Sequence, residues 1–241
     1  MEAKVTGASP RGASDLKTEA FAHRVIGSTL VLSFPRPVQV MSWAVLNGGF
    51  RPRTTHIINH HVQTHSQAND AAKTLRQVVS RLRLRGTVVG MMTGVDVRRY
   101  SFARACYQDL LACAIATAGC GNLASVGEVG NYVEGKSEPS CVGTVNLVVV
   151  VNYRFTPEAF LEGLEIATEA KVKAMYANGE PATGTGTDCV AVAAGSERRY
   201  RFCGKHTKWG ELVGRTSLES VRAALRTTLP EDQGHKDATS N

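Results

Sequence analysis

Thr183-Gly184-Thr185-Gly186-Thr187-Asp188 runs straight into Cys189-Val-Ala-Val-Ala-Ala194. Glycine lets a backbone approach a ligand closely, and threonine adds hydroxyls without bulk. The short apolar run after the acid reads as a buried strand. The segment before it, Pro157–Asn178, reads as a helix, so a helix feeds the loop and the loop feeds a strand. A dinucleotide fingerprint runs the other way, from strand through glycines into helix. That order removes the Rossmann reading. It leaves a loop that presents hydroxyls, N–H groups and the Asp188 carboxylate at the head of a strand.

Outward from this loop, β-branched runs bounded by Gly, Pro and Asn predict further strands. They are Ser28–Phe34, Val38–Val45, Thr54–Val62, Gly86–Val97, Ser101–Tyr107, Leu110–Thr117 and Val142–Asn152, with Asp188–Ala194 as the last. Helices are expected at Asp70–Leu84 with Asn69 as cap, at Pro157–Asn178, and at Thr207–Arg226. Thr156 caps the second, Pro157 takes its first position and Gly179 ends it. The fold class is α/β or α+β: a single domain with a mixed sheet of about eight strands and three main helices. Residues 1–22 and 229–241 read as disordered tails around a domain at 23–228.

The helix Pro157–Asn178 carries Phe160, Leu164, Ala167 and Met175 on an apolar stripe at helical spacing. Glu162, Glu165, Glu169 and Lys173 fall opposite, with Glu169 and Lys173 as an i,i+4 pair on a solvated face. Lys171 breaks the pattern because it lies within the apolar stripe. A buried ammonium must find a partner or lose its proton. Lys171 therefore contacts an acid or a ligand, or else snorkels to the surface.

Composition bounds the partners. The chain has 241 residues, 43% apolar and 20% charged, as in an ordinary globular protein. The net charge of +7 is concentrated in Arg76–Arg85 and in Arg198–Lys208. That balance fits an anionic ligand, whereas 6% aromatic content supplies no base-stacking surface, so nucleic acid is not expected as a partner. Cys106, Cys113, Cys120, Cys141, Cys189 and Cys203 include no C-x-x-C pair and read as buried free thiols of a reducing compartment. The first twenty residues show no secretory apolar region, and runs such as Leu147–Val151 are too short to span a bilayer. A cytoplasmic protein without a membrane span is expected.

A second turn, Gly204-Lys205-His206-Thr207, opens the last helix. It is not a P-loop, because Arg199 stands where the first glycine is required. N–H groups at that helix start bind an anion or polarise a carbonyl, and Lys205 and His206 add charge and a titrating group. A structural turn whose Thr207 merely caps the helix is the plainer alternative. His56, His60, His61 and His65 invite a metal reading, but Thr55–Val62 reads as a strand in which His56 and His60 share a face and His61 points away. No H-E-x-x-H is present, so no metal ligand is assigned. A divalent metal and a homo-oligomer stay open. Asn59 and Asn146 interrupt apolar strands and need partners, either a ligand amide or each other's loops. Asn47 lies in the turn Asn47-Gly48-Gly49.

Three hydrolytic routes are compatible with these residues. Thr183, Thr185 or Thr187 attacks with His206 or Lys205 as base. Alternatively, Asp188 or His206 activates a water while loop N–H groups hold the oxyanion. A metal-bound water is the third.

The ordered set Val40–Gly49, Ile57–Asn59 with Val62, Gly90–Gly94, Thr117–Gly119, Gly143–Asn146, Ala167–Lys171, Gly184–Asp188 and Gly204–Thr207 resembles the adenosylcobinamide amidohydrolase family of corrinoid salvage. The resemblance spans about residues 25–226. It implies a corrinoid substrate whose aminopropanol amide is hydrolysed, giving adenosylcobyric acid and 1-amino-2-propanol. His60 departs from the arginine often found at that position of the family. The family brings no catalytic assignment. The residue expectations therefore rest on the loops: Asp188, His206, Lys205 and Thr185 for chemistry, and Asn47, Asn59, His60, Asn146, Lys171, Gly184, Gly186, Thr187 and Thr207 for substrate. A corrinoid-binding module without turnover and a phosphate- or nucleotide-binding enzyme are the alternatives.

Overall fold

Alternation of side chains along each strand decides which surfaces must be covered. The computed structural model describes residues 21–62, 70–130, 143–195 and 198–228, together with the backbone of 4–8. Its strands are β1 (Lys4–Ala8), β2 (Ala22–Ile26), β3 (Thr29–Ser42), β4 (Gly49–His61), β5 (Thr87–Thr93), β6 (Ser101–Tyr107), β7 (Leu110–Thr117), β8 (Leu123–Ala124), β9 (Asn146–Val151), β10 (Arg154–Phe155), β11 (Gly184–Thr185), β12 (Cys189–Ala194) and β13 (Arg199–Tyr200). The helices are α1 (Ala71–Arg81), α2 (Pro157–Ala177) and α3 (Lys208–Thr228). The main sheet runs β1-β6-β7-β9-β12-β3-β4-β5, with β2 also on β3. It is mixed: β9–β12 and β4–β5 are parallel, and the other neighbours antiparallel. This is the mixed-sheet, three-helix α/β domain that the sequence pattern predicts.

The sheet folds over on itself. On β9, Leu147, Val149 and Val151 face the cluster that also holds Phe160 and Met175 of α2 and Leu212 and Val213 of α3. Val148 and Val150 face the other way, into a cluster with Leu30 and Leu32 of β3, Ile57 of β4 and Val89 and Met91 of β5. The outer face of β3–β5 packs Val31, Ile58 and Val88 against Leu75 and Val78 of α1. The layers are therefore α2 and α3, then β6-β7-β9-β12, then β3–β5, then α1. Both β9 and β12 are buried on their two faces, which is why each reads as an unbroken apolar run.

One bend makes this possible. The sequence predicts a break at Pro35-Arg36-Pro37 between two strands. The chain instead stays extended as β3, and its pairing with β4 slips between Ser33 and Val38. Proline cannot donate to a ladder, so the interruption falls there. Before the bend β3 pairs with β2; after it, Gln39–Ser42 pairs with β12. Other boundaries also move. β5 stops at Thr93, Val97–Arg99 forms a 3₁₀ turn, and β9 begins at Asn146.

The caps follow the sequence closely. Thr156 accepts from Ala159 N at 3.3 Å, Pro157 opens α2, and Gly179 follows it at φ 82°. For α1 the cap is Asp70, which accepts from Lys73 N at 3.0 Å; Asn69 lies outside the described residues. On the outer face of α2, Glu169 turns to Lys205 at 2.7 Å and not to Lys173. Within the segment read as an N-terminal tail, Lys4–Ala8 adds an edge strand to β6, and Phe21 is buried in the core. Residues 229–241 lie outside the described residues, as does Cys141.

Candidate active site

Asp188 stands one residue before β12, and alternation aims its side chain toward α2. Oδ1 accepts from Val145 N at 2.9 Å and from the Thr185 hydroxyl at 2.6 Å. Oδ2 accepts from Thr185 N at 3.1 Å and from Lys171 Nζ. Lys171 reaches it from the apolar stripe of α2, with side chains only 8% and 9% exposed for the lysine and the acid. The charge in the middle of an apolar helix face thus has its partner on the neighbouring strand. Four donors fill the four lone-pair positions of the carboxylate. The carboxylate has no position left for a free water, and the hydroxyl proton of Thr185 is the one neutral side-chain proton among those four donors.

A second polar group lies on the other side of β9 and β12, at the same end of the sheets. Asn146 donates to Asn59 Oδ1 at 2.8 Å and to Met92 O at 2.9 Å. Asn59 donates to Thr117 Oγ1 at 2.9 Å. These buried amides tie β9 and β7 of one layer to β4 and β5 of the other. Among the described residues, none donates a hydrogen bond to the buried Asn146 Oδ1. The Thr144 and Thr187 hydroxyls, 2.9 Å apart, join this group to the Gly-Thr loop. Gly143, at φ 97°, lets the backbone pass Gly121 and Asn122, where a Cβ would lie 2.7 Å from both backbone nitrogens.

The segments gathered here are those that carry the resemblance: Trp43 before the β3–β4 turn, Asn59, Met92, Thr117, Gly143–Asn146, Lys171 and Gly184–Asp188. Residues 14–232 match the family described as adenosylcobinamide amidohydrolase. The chain belongs to the adenosylcobinamide amidohydrolase family. Its relatives are distant. An adenosylcobinamide amidohydrolase of Methanosarcina mazei is 24% identical over 190 residues, covering 75% of this chain and 86% of that one. An uncharacterised protein of Methanocaldococcus jannaschii is 26% identical over 221 residues, with 82% and 85% covered. Among solved structures, a beta-aminopeptidase of Burkholderia sp. overlays with a TM-score of 0.45 at 12% identity, covering 94% of this chain and 84% of that chain. No helix among the described residues is long and apolar enough to cross a membrane.

Other expected site residues lie elsewhere in the fold. The Gly204–Thr207 turn lies ten residues beyond the end of β12 and packs against α2, where Gly204 faces Glu162 and Cys203 N donates to the Glu162 carboxylate. Lys205 is spent on Glu169, on the face of α2 turned away from Lys171. His206 is exposed beside it. Thr207 accepts from Gly210 N at 2.9 Å and so caps α3, the plainer of its readings. Among the described residues, neither Lys205 nor His206 hydrogen-bonds the Gly-Thr loop, so the structure does not bring these expected partners together. Asn47 also acts locally. At φ 55° it shapes the β3–β4 turn, and its side chain donates to Val88 O at 2.7 Å. Gly186 is exposed, with its N–H on Asn122 O at 3.2 Å.

His60 points away from Asn59, as neighbours on a strand must. It lies under α1, with Nδ1 2.9 Å from Thr29 Oγ1. Burial, then the charges of Arg81 and His61, hold its pKa below the usual 6.5. His23 and His56 are lowered too, chiefly by burial. The unfolded chain therefore binds more protons than the folded one as pH falls through about 6.5, and stability drops with pH in that window. Thermal melts should show a lower Tm near pH 5.5 than near pH 7.5, with a smaller drop in His60→Gln. A Tm flat across that range would contradict this.

Sequence reading assigns no role to Thr117, Thr144 or Trp43, although each lies in a stretch that carries the resemblance. The threonines resemble any strand threonine until their partners are known. Nor do Cys113, Cys120, Cys189 and Cys203 offer an easy nucleophile. Burial pushes the Cys113, Cys189 and Cys203 thiols up to about 12, and Cys120 to about 11. Cys106 is exposed. In a Cys141→Ser background, one thiol should react promptly with a disulfide reagent near pH 8, and Cys106→Ser should abolish that phase. Prompt labelling of Cys189 would show instead that the strand head is open.

Proposed function

We propose that this chain hydrolyses the amide joining the aminopropanol arm of adenosylcobinamide to the corrin, releasing adenosylcobyric acid and 1-amino-2-propanol. The carrying observation is the Thr185 hydroxyl held at 2.6 Å on the buried Asp188–Lys171 pair. A hydroxyl that donates to a carboxylate gathers charge on its oxygen and turns its lone pairs away from the acid. This geometry favours a threonine nucleophile over a water on Asp188, because the carboxylate is already fully engaged. Thr185 Oγ1 bonds to the amide carbon and its proton passes to Asp188. The proton then moves to the leaving nitrogen as the C–N bond breaks. Water hydrolyses the resulting threonyl ester, and the hydroxyl is restored. The Thr187 N–H, 3.5 Å from Thr185 Oγ1, is a backbone donor close enough to serve the oxyanion. Lys171 holds the acid in place.

The test is product-identified turnover of adenosylcobinamide, with and without a chelator. Formation of adenosylcobyric acid and 1-amino-2-propanol in equal amounts is expected. Absence of both across pH, with divalent metals added, would overturn the reading. Thr185→Val should lower kcat by about 10²–10⁴, and Thr185→Ser should keep a measurable part of it because the hydroxyl remains. Equal activity in both variants would remove Thr185 from the chemistry.

A further inference from the structure

Trp43 is 49% exposed, although its indole N–H is not free: Nε1 donates to the Asp188 carbonyl at 2.7 Å. An exposed tryptophan held by its edge presents a fixed flat face. That anchor is the backbone of the residue whose carboxylate organises the site. Val45, two residues on, is 53% exposed on the same turn. Across the Gly-Thr loop, Leu123 is exposed where it pairs with Thr185, and Val126 is exposed where its N–H bonds the Thr183 hydroxyl. Apolar surface therefore flanks the candidate nucleophile on both sides, and one flank ends in a preorientated aromatic ring. The other tryptophan, Trp209, is 2% exposed in an aromatic cluster.

We propose that Trp43 is the stacking platform for a flat ring of the bound ligand, setting which corrinoids the site accepts. The inference rests on the corrinoid reading above. A corrinoid with an adenosyl upper ligand offers flat π-surface from either of its parts, the adenine or the corrin. Stacking needs little side-chain ordering here, because the Asp188 carbonyl has already fixed the indole. A ring seated on Trp43 also lies against the backbone that carries Asp188, so ligand position and catalytic geometry are set by the same residue.

The experiment follows the two indole N–H signals by NMR in the full chain, assigned with Trp43→Phe. Adenosylcobinamide should shift the Trp43 signal by ring current and leave Trp209 unmoved. Dicyanocobinamide, which lacks the nucleoside, and 5′-deoxyadenosine, which lacks the corrin, then divide the sources. Whichever alone moves Trp43 is the ring that stacks. Trp43→Leu should weaken binding about 10- to 100-fold and raise KM more than it lowers kcat. Trp43→Phe should retain most of the binding: it lacks the hydrogen bond but keeps the ring. Equal losses in Leu and Phe variants would reduce Trp43 to a structural tether and overturn the proposal. So would a Trp43 signal that no ligand moves while binding is otherwise detected. The two readings fail separately. A Trp43 shift without turnover sinks the hydrolase and keeps the platform; turnover with unchanged KM in Trp43→Leu does the reverse.

Discussion

Asp188→Asn is expected to abolish turnover and to destabilise the fold by about 3–5 kcal/mol, the range seen when one partner of a buried ion pair is removed. The substitution is nearly isosteric, so the loss is electrostatic. Asn Oδ1 still accepts from Val145 N and the Thr185 hydroxyl. The amide nitrogen, however, replaces the oxygen that accepts from Lys171 Nζ and Thr185 N, and donors then face donors. Lys171 is left as an uncompensated charge among Ala167, Ala170 and Ala174 of the buried α2 face. The Thr185 hydroxyl also loses the charged acceptor that takes its proton, so kcat falls by about 10³ or more.

The double variant Asp188→Asn with Lys171→Met separates these effects. Removing the stranded ammonium should return much of the stability, giving a coupling energy well above the few tenths expected of independent sites. It should return none of the activity. Denaturant unfolding and steady-state kinetics on the four proteins complete the cycle. An Asp188→Asn variant active within a few-fold of the parent would exclude Asp188 as the group that handles the proton.

The parts of this protein that were legible in sequence are those governed by local rules. Thr156, Pro157 and Gly179 mark the ends of α2 because capping needs only neighbours. Lys171 stood out because a charge interrupts an apolar period, and the Gly-Thr loop because its order of elements contradicts a nucleotide fold. What was hidden depends on register and on bends. Asn59 and Asn146 are 87 residues apart in sequence and meet only because β3 doubles the sheet back at its prolines. Pro35 and Pro37 look like a strand end, since the change of pairing partner from β2 to β12 has no local signature. Lys205 and His206 follow β12 in sequence, but the chain first forms β13 and then meets α2 at Glu162, where Lys205 finds Glu169 instead of the Gly-Thr loop. Trp43 carries no periodic signal at all, and its role depends on a hydrogen bond to a carbonyl 145 residues away.

The two glycine turns make opposite predictions, and the contrast tests the location of the site. Neither Gly184 nor Gly204 has a positive φ, so alanine is acceptable to the backbone at both. The difference lies in what a methyl group meets. At Gly184 a Cβ would stand 2.5 Å from Lys171 Nζ and closer still to Asp188 Oδ2. Both atoms are buried and engaged, and Gly184 itself is fixed by pairing with Ala124. The ion pair has to separate or the β8–β11 ribbon has to lift. Overpacking typically costs about 1–3 kcal/mol, and parting a buried pair adds to it. Gly184→Ala is therefore expected to lose about 3 kcal/mol or more and most of its activity. At Gly204 the nearest atom is Glu162 Oε1 at 3.6 Å, an ordinary contact. Gly204→Ala should stay within about 1 kcal/mol of the parent with turnover nearly intact. Chemical denaturation and kcat/KM on the pair decide it. Equal sensitivity at the two positions would return the Gly204–Thr207 turn to the site, and a harmless Gly184→Ala would mean that the Asp188–Lys171 contact is not under the loop.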